Sequence, residues 1–190
     1  MATSPSPDTQ FRPVRALVLT PTRELAAQVG ESVATYGRHL PLRSAVIFGG
    51  VKINPQKEVL RRGIDILVAT PGRLLDHAGQ RSIDLSQVEY LVLDEADQML
   101  DIGFIHALRR IAPMLGKDRQ TMMFSATMPP KIRTLAKKLL TDPKEISISI
   151  SKPAAGVLQA AYLVYEKDKP ALIAKLLDKD ELEGVIVFSR

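Results

Sequence analysis

Six short apolar runs, separated by stretches with helical periodicity, set the rhythm of this chain and restrict it to a narrow set of folds. A run of four to six apolar residues bounded by turn residues suits a strand buried on both faces, and such strands alternating with helices build a parallel α/β sheet. Strands are expected at residues 16–20, 44–48, 64–69, 88–93, 120–124 and 145–150, with helices near 24–38, 55–62, 72–78, 104–115 and 129–140. In an open sheet of this kind the chemistry gathers at the carboxyl ends of the strands. The residues that leave each run therefore matter most.

Some boundaries have identifiable causes. Asn54 can cap a helix, Pro55 presets its first φ and Gly63 can end it in the left-handed region. Thr141-Asp142-Pro143 stops the last long helix, and Ser151-Lys152-Pro153-Ala154-Ala155-Gly156 is rich in turn residues. The expected organisation is a Ser/Pro-rich leader over 1–13, a partial domain over 14–150, a linker over 151–157 and the start of a second domain over 158–190. That last part would supply a strand at 159–165, a helix at 169–177 and a strand at 185–188, too little to close a core alone.

Twice an apolar run passes straight into T-P-x-R: Leu19 into Thr20-Pro21-Thr22-Arg23, and Ala69 into Thr70-Pro71-Gly72-Arg73. Thr offers a capping oxygen, Pro starts a helix, and the free N–H groups at a helix start receive an anion to which Arg adds a fork. Thr-Pro is also simply a good helix start, but two copies on one rim could track a single phosphate backbone. Phe48-Gly49-Gly50 ends another run there, with glycines that permit close backbone approach.

Val92-Leu93 runs into Asp94-Glu95-Ala96-Asp97, three carboxylates in four positions. Magnesium takes hard oxygen ligands and keeps its waters, so Asp94 can bind it through the shell, while Glu95 can orient or deprotonate an attacking water. An acidic helix start would look the same. Ser125-Ala126-Thr127 follows another run and sets two hydroxyls beside the acidic loop, where they could also be plain helix caps.

Charge and composition narrow the partners. Lys and Arg number 26 against 21 Asp and Glu, a net +5, of which residues 1–80 hold 10 against 6 and so carry +4. A modest basic bias suits a nucleic-acid backbone, while the 5 Phe, 4 Tyr and absent Trp argue against base stacking as the main mode. The chain has no Cys, which excludes disulfides, zinc thiolates and Cys nucleophiles and fits a reducing cytoplasm. No apolar stretch approaches the length of a membrane span, so no membrane partner is expected. Histidines 39, 77 and 106 lack metal-ligand spacing and read as structural or surface groups.

Taken in order, Pro21-Thr22-Arg23-Glu24-Leu25, Gly49-Gly50, Thr70-Pro71-Gly72-Arg73, Asp94-Glu95-Ala96-Asp97 and Ser125-Ala126-Thr127 resemble the consecutive motifs of the DEAD-box RNA helicases, with wording closest to bacterial members of the RhlE type. Val185-Ile186-Val187-Phe188-Ser189-Arg190 resembles the motif that opens the family's second RecA-like domain. The resemblance implies a RecA-like P-loop NTPase sheet with helices on both faces, ATP and Mg2+ as cofactors, and RNA as partner. It implies that Asp94 and Glu95 serve magnesium and the attacking water, and that Asp97 pairs with Ser125 and Thr127 to link ATP state to domain closure. It further implies that Arg23, Gly50, Thr70, Gly72 and Arg73 touch the RNA sugar-phosphate backbone without reading sequence.

The departures carry equal weight. The family places an adenine-reading Gln segment and a phosphate loop before the first T-P-x-R turn, and neither stands in these residues. The expectation is a sheet lacking its first strand and loop, with a gap beside the strand before Ser125, edges open to self-association, and no useful ATPase from this chain alone. Two other readings stay open: a catalytically inactive RNA- or partner-binding module, and a fragment of a non-helicase P-loop ATPase.

Overall fold

The computed structural model describes residues 12–147, 158, 160–178 and 184–189. The chain divides into two compact units, residues 1–144 and 145–190. The first contains, in order, β1 (Ala16–Leu19), α1 (Arg23–Gly37), β2 (Ser44–Ile47), α2 (Ile53–Arg61), β3 (Ile66–Ala69), α3 (Pro71–Gly79), β4 (Tyr90–Leu93), α4 (Ala96–Asp101), α5 (Ile105–Ile111), β5 (Gln120–Met123) and α6 (Pro130–Leu139). All five strands are parallel, in the order β2-β3-β1-β4-β5. The expected α/β parallel sheet is the fold observed.

Register sorts the side chains. Leu17, Leu67, Ala45 and Leu91 lie level, as do Leu19, Ala69, Ile47 and Leu93, and all eight are buried in one core with Leu74, Met99, Leu108 and Ile111. Each fully buried Leu or Ile contributes roughly 1.5–3 kcal/mol. The alternate residues point to the opposite face, where Val68 of β3 is fully buried and Val18, Val46, Val92 and Met122 are only half-buried.

Handedness explains the difference. Right-handed crossovers put the helix of the β1-to-β2 connection on one face and those of the connections back toward β5 on the other. So α1 takes the thin face, while α2, α3 and α5 cover the thick core. Helix α1 seats on β2 through Gly30, where a Cβ would stand 2.3 Å from Val46 Cγ2.

Differences from the expected elements have local causes. Helix α5 ends at Ile111 and gives way to a 3-10 turn over Ala112–Met114, because Pro113 has no N–H to continue the ladder. Helix α4 is not among the expected helices, and realises the alternative of an acidic helix start after β4. Residues 145–147 form no strand, and 148–150 lie outside the described residues together with the expected linker 151–157.

In the second unit only a 3-10 turn (Glu166–Asp168) and α7 (Lys169–Leu177) form among the described residues. The strands expected at 159–165 and 185–188 are absent among the described residues there. A helix satisfies its own backbone, whereas a strand needs a neighbour; Leu163 and Phe188 are more than nine-tenths exposed. Among the described residues no helix is long and apolar enough to cross a membrane.

Candidate functional site

Each strand of the parallel sheet ends in one of the sequence motifs, so all five meet one rim: Thr20–Arg23 after β1, Phe48-Gly49-Gly50 after β2, Thr70–Arg73 after β3, Asp94–Asp97 after β4 and Ser125–Thr127 after β5. Single-residue ladder bonds carry the strands into these loops. Asp94 N–H donates to Leu19 O at 3.0 Å, Phe124 N–H to Leu93 O at 2.8 Å, and Ala96 N–H to Phe124 O at 3.0 Å.

The acidic loop turns on a strained residue. Glu95 caps α4 with φ 51° and ψ 52°, the left-handed region that costs a residue with a Cβ about 1–2 kcal/mol. That turn lifts Asp94 and Glu95, both half-buried, at the end of β4 and starts the helix at Ala96. Asp94 Oδ1 accepts from the Glu95 amide at 3.1 Å. Asp97, one residue into α4, faces the next loop: its Oδ2 accepts from the Thr127 hydroxyl at 2.8 Å and amide at 2.9 Å. In return the Asp97 amide donates to Ser125 Oγ at 3.1 Å, and Ser125 Oγ donates to Thr127 O at 2.7 Å. Burial raises the Asp97 carboxyl, but the Thr127 hydroxyl and amide, then Ser125 and the Gln98 amide, outweigh it and hold the group below the usual carboxylate range.

This donor set fits magnesium only in an outer-sphere role. Among the described residues no group of three or more His, Cys, Asp or Glu could hold a metal, and both Asp97 oxygens are taken, Oδ1 by the Gln98 amide at 3.1 Å. Among the described residues Asp94 keeps one oxygen without a protein donor, enough to order a metal-bound water but not to hold the ion without a second anionic ligand.

The two T-P-x-R turns differ. In the first, α1 starts at Arg23 and the cap is Thr22, whose hydroxyl oxygen accepts from the Leu25 amide at 3.2 Å; Thr20, fully buried, donates instead to Thr22 O at 3.2 Å. Pro21 is buried ahead of the helix. Arg23 is 62% exposed and meets Glu24 in a surface pair of the kind worth little, so its fork stays available. Gly50, at φ +81°, lies beside it, where an added Cβ would stand 3.4 Å from Arg23 Nη1, so the exits of β1 and β2 converge. Gly49 has open space around its Cα.

In the second turn Pro71 is the first helical residue, and Thr70 sits at the cap without a side-chain cap bond. Gly72 packs near Phe104. Arg73, expected to present a fork, turns inward: only 9% of its side chain is exposed, Nη1 donates to Gln56 Oε1 at 3.0 Å, Nη2 to Val51 O at 2.8 Å, and Nε lies 3.6 Å from Asp76 Oδ2. Periodicity places Arg73 on the first turn of a helix but says nothing about acceptors on α2. Gln56 and the fully buried His77, which complete this cluster, carried no sequence signal beyond their helical positions. A cavity of about 840 Å³ lined by Arg12, Arg62, Arg81 and Asp84 opens where the strands begin, and it holds none of the motif residues.

The chain matches the model of the DEAD/DEAH box helicase family over residues 4–135. It is 42% identical over 184 residues to a Bacillus cereus protein named DEAD-box ATP-dependent RNA helicase CshA, covering 96% of this chain and 35% of that one. It is 42% identical over 177 residues to the Mycobacterium tuberculosis ATP-dependent RNA helicase DeaD, covering 93% of this chain and 31% of that one. The chain thus spans about a third of the length of these relatives. Among solved structures it is similar to the yeast DEAD-box splicing factor Prp28, with a TM-score of 0.64 and 35% identity over 70% of this chain and 34% of that one. Five strands delivering five motifs to one rim, together with these likenesses, make the chain a member of the DEAD/DEAH box helicase family.

Proposed function

We propose that this chain is the part of an ATP-dependent RNA helicase that grips one RNA strand and carries the hydrolytic acids. The observation that carries the proposal is the common rim: helix starts, two glycines and an exposed arginine lie beside the carboxylates on adjacent strand ends. Arg23, Gly50, Thr70 and Gly72 supply charge and close backbone approach to sugar and phosphate, which gives affinity without sequence preference. Glu95 orients the attacking water and accepts its proton, and Asp94 orders a water on magnesium, which when bound offsets charge on the phosphates. Asp97, Ser125 and Thr127 tie the β4 and β5 exits together, so a shift in one moves the other. In the cell the protein works in the cytoplasm on local RNA duplexes.

No G-x-x-x-x-G-K-[ST] occurs in these 190 residues. Phosphoryl transfer rests on positioning and charge neutralisation, so this polypeptide by itself binds RNA without useful ATP turnover. The β5 edge, unpaired among the described residues, also invites self-association. A sedimentation series that stayed monomeric at every concentration would remove that part.

The deciding experiment titrates fluorescent single-stranded RNA with the 190-residue chain across a salt series. Affinity should fall with salt, and Arg23→Ala should lower the slope of log K on log salt by about 0.7. Absence of RNA binding by wild type at low salt defeats the proposal. Brisk RNA-stimulated ATP hydrolysis by the purified chain defeats the inactivity.

A further inference from the structure

The turn after β2 has almost nothing of its own to hold it. Gly49 and Gly50 have no side chains, yet the carbonyls on both sides of the pair are clamped from α2 and α3. Gln56 Nε2 donates to Phe48 O at 3.1 Å, and Arg73 Nη2 donates to Val51 O at 2.8 Å. The two clamps are one assembly, because Gln56 Oε1 accepts from Arg73 Nη1 at 3.0 Å and lies 3.2 Å from His77 Nε2.

A proton count fixes the rest. The Gln56 amide cannot be flipped, since its nitrogen would then face the Arg73 donor and its oxygen the Phe48 carbonyl. With Oε1 toward His77, Nε2 of the ring must be the donor. On a neutral ring Nδ1 is then bare and takes the Ser82 hydroxyl proton across 2.8 Å, a proton that could otherwise go to His77 O at 3.0 Å. Every polar atom in the cluster finds a partner except Arg73 Nε, which has only its longer approach to Asp76.

We propose that Gln56 is a positioning residue for the Gly49–Gly50 turn: through Arg73 and the Nε2–H tautomer of His77 it holds the turn's backbone amides ready for an RNA phosphate. Its use of RNA rests on the function proposed above, whereas the clamp itself does not. Arg73 accordingly acts on RNA through the turn rather than by touching it.

The test compares the full chain with Gln56→Met, which keeps the volume and deletes the amide bonds, and with Ser82→Ala, which loosens the far end of the cluster. Backbone NMR order parameters at Gly49–Lys52 should fall in Q56M from about 0.85 to below about 0.6, while those of β1 and β4 are unmoved. Single-stranded RNA should bind Q56M about tenfold more weakly with an unchanged salt slope, since no phosphate contact is removed, and S82A should bind as wild type. Long-range nitrogen–proton NMR should show His77 protonated on Nε2. Unchanged order parameters in the turn, or a proton on Nδ1 instead, overturn the proposal. Failure of wild type to bind RNA removes the RNA reading alone, and the order parameters and the His77 tautomer still decide the clamp. Should Q56M not fold, Gln56→Glu, which turns an oxygen instead of a donor toward Phe48 O and adds a charge beside Arg73 and His77, takes its place in the relaxation measurement, where unchanged order parameters in the turn overturn the clamp.

Discussion

Asp97 and Thr127 are joined twice: Oδ2 of the carboxylate accepts both the hydroxyl, at 2.8 Å, and the amide, at 2.9 Å, of a residue 30 positions along the chain. The loop after β4 is thereby fastened to the loop after β5, and the Asp97 amide closes the ring on Ser125. A carboxylate that accepts from a rigid amide and an adjustable hydroxyl can keep one bond while the other breaks. Such a joint keeps the two loops fastened through a small shift of either.

Thr127→Val removes the hydroxyl bond and leaves the amide bond. Because the site lies on the rim, the cost should be about 1 kcal/mol by urea unfolding at neutral pH. Asp97 sits below the usual carboxylate range, so its contribution is complete above the unfolded-state value of about 4 and is lost as pH falls through the lower folded value. The wild type and T127V should therefore converge in stability at acid pH. A difference that persists unchanged there would show that the bond is not what the substitution removed.

Glu95→Gly should raise stability by about 0.5–1 kcal/mol. Relief of the left-handed strain at φ 51° exceeds the extra freedom that Gly brings to the unfolded chain. The substitution also deletes the carboxylate proposed above to orient the attacking water. A thermal melt lower than wild type would mean that the Glu95 side chain makes contacts that outweigh the strain.

The strands of the first unit were legible because a strand buried on both faces must be a short apolar run, and β1, β3 and β4 are nothing else. Helix α4 was not, since six residues give no period and its start depends on Glu95 adopting a conformation that sequence does not advertise. The site divides in the same way. Asp97, Ser125 and Thr127 could be named from their order along the chain, and the structure brings them together. Arg73 could be named as well, but whether a guanidinium faces solvent depends on Gln56, which lies 17 residues before it on another helix. The strands expected after residue 158 rest on short apolar runs, and a run does not supply a neighbour to pair with.

Gly30→Ala should be destabilising by about 1–2 kcal/mol, although Ala is the better helix former, because its methyl would enter the space of Val46 Cγ2 on the thin face of the sheet. In a Val46→Ala background that clash disappears, and the same substitution should become neutral or gain up to about 1 kcal/mol. Equal losses in both backgrounds would place the cost within α1 itself.

His77 is the sole fully buried ionisable side chain among the described residues. Burial pushes its pKa down first, and the nearby positive charges of Arg73 and Lys57 push the same way against the smaller opposing pull of Asp76. The folded state therefore takes up a proton later than the unfolded state as pH falls. Stability is complete above the unfolded-state value of about 6.5, declines as pH drops below it, and levels off once the folded state is protonated too. Urea midpoints measured between about pH 7.5 and pH 5 should fall for wild type and fall less steeply for His77→Gln, which cannot titrate. Parallel slopes in the two proteins would mean that His77 gains its proton as readily folded as unfolded, and that the cluster around Gln56 tolerates a cation.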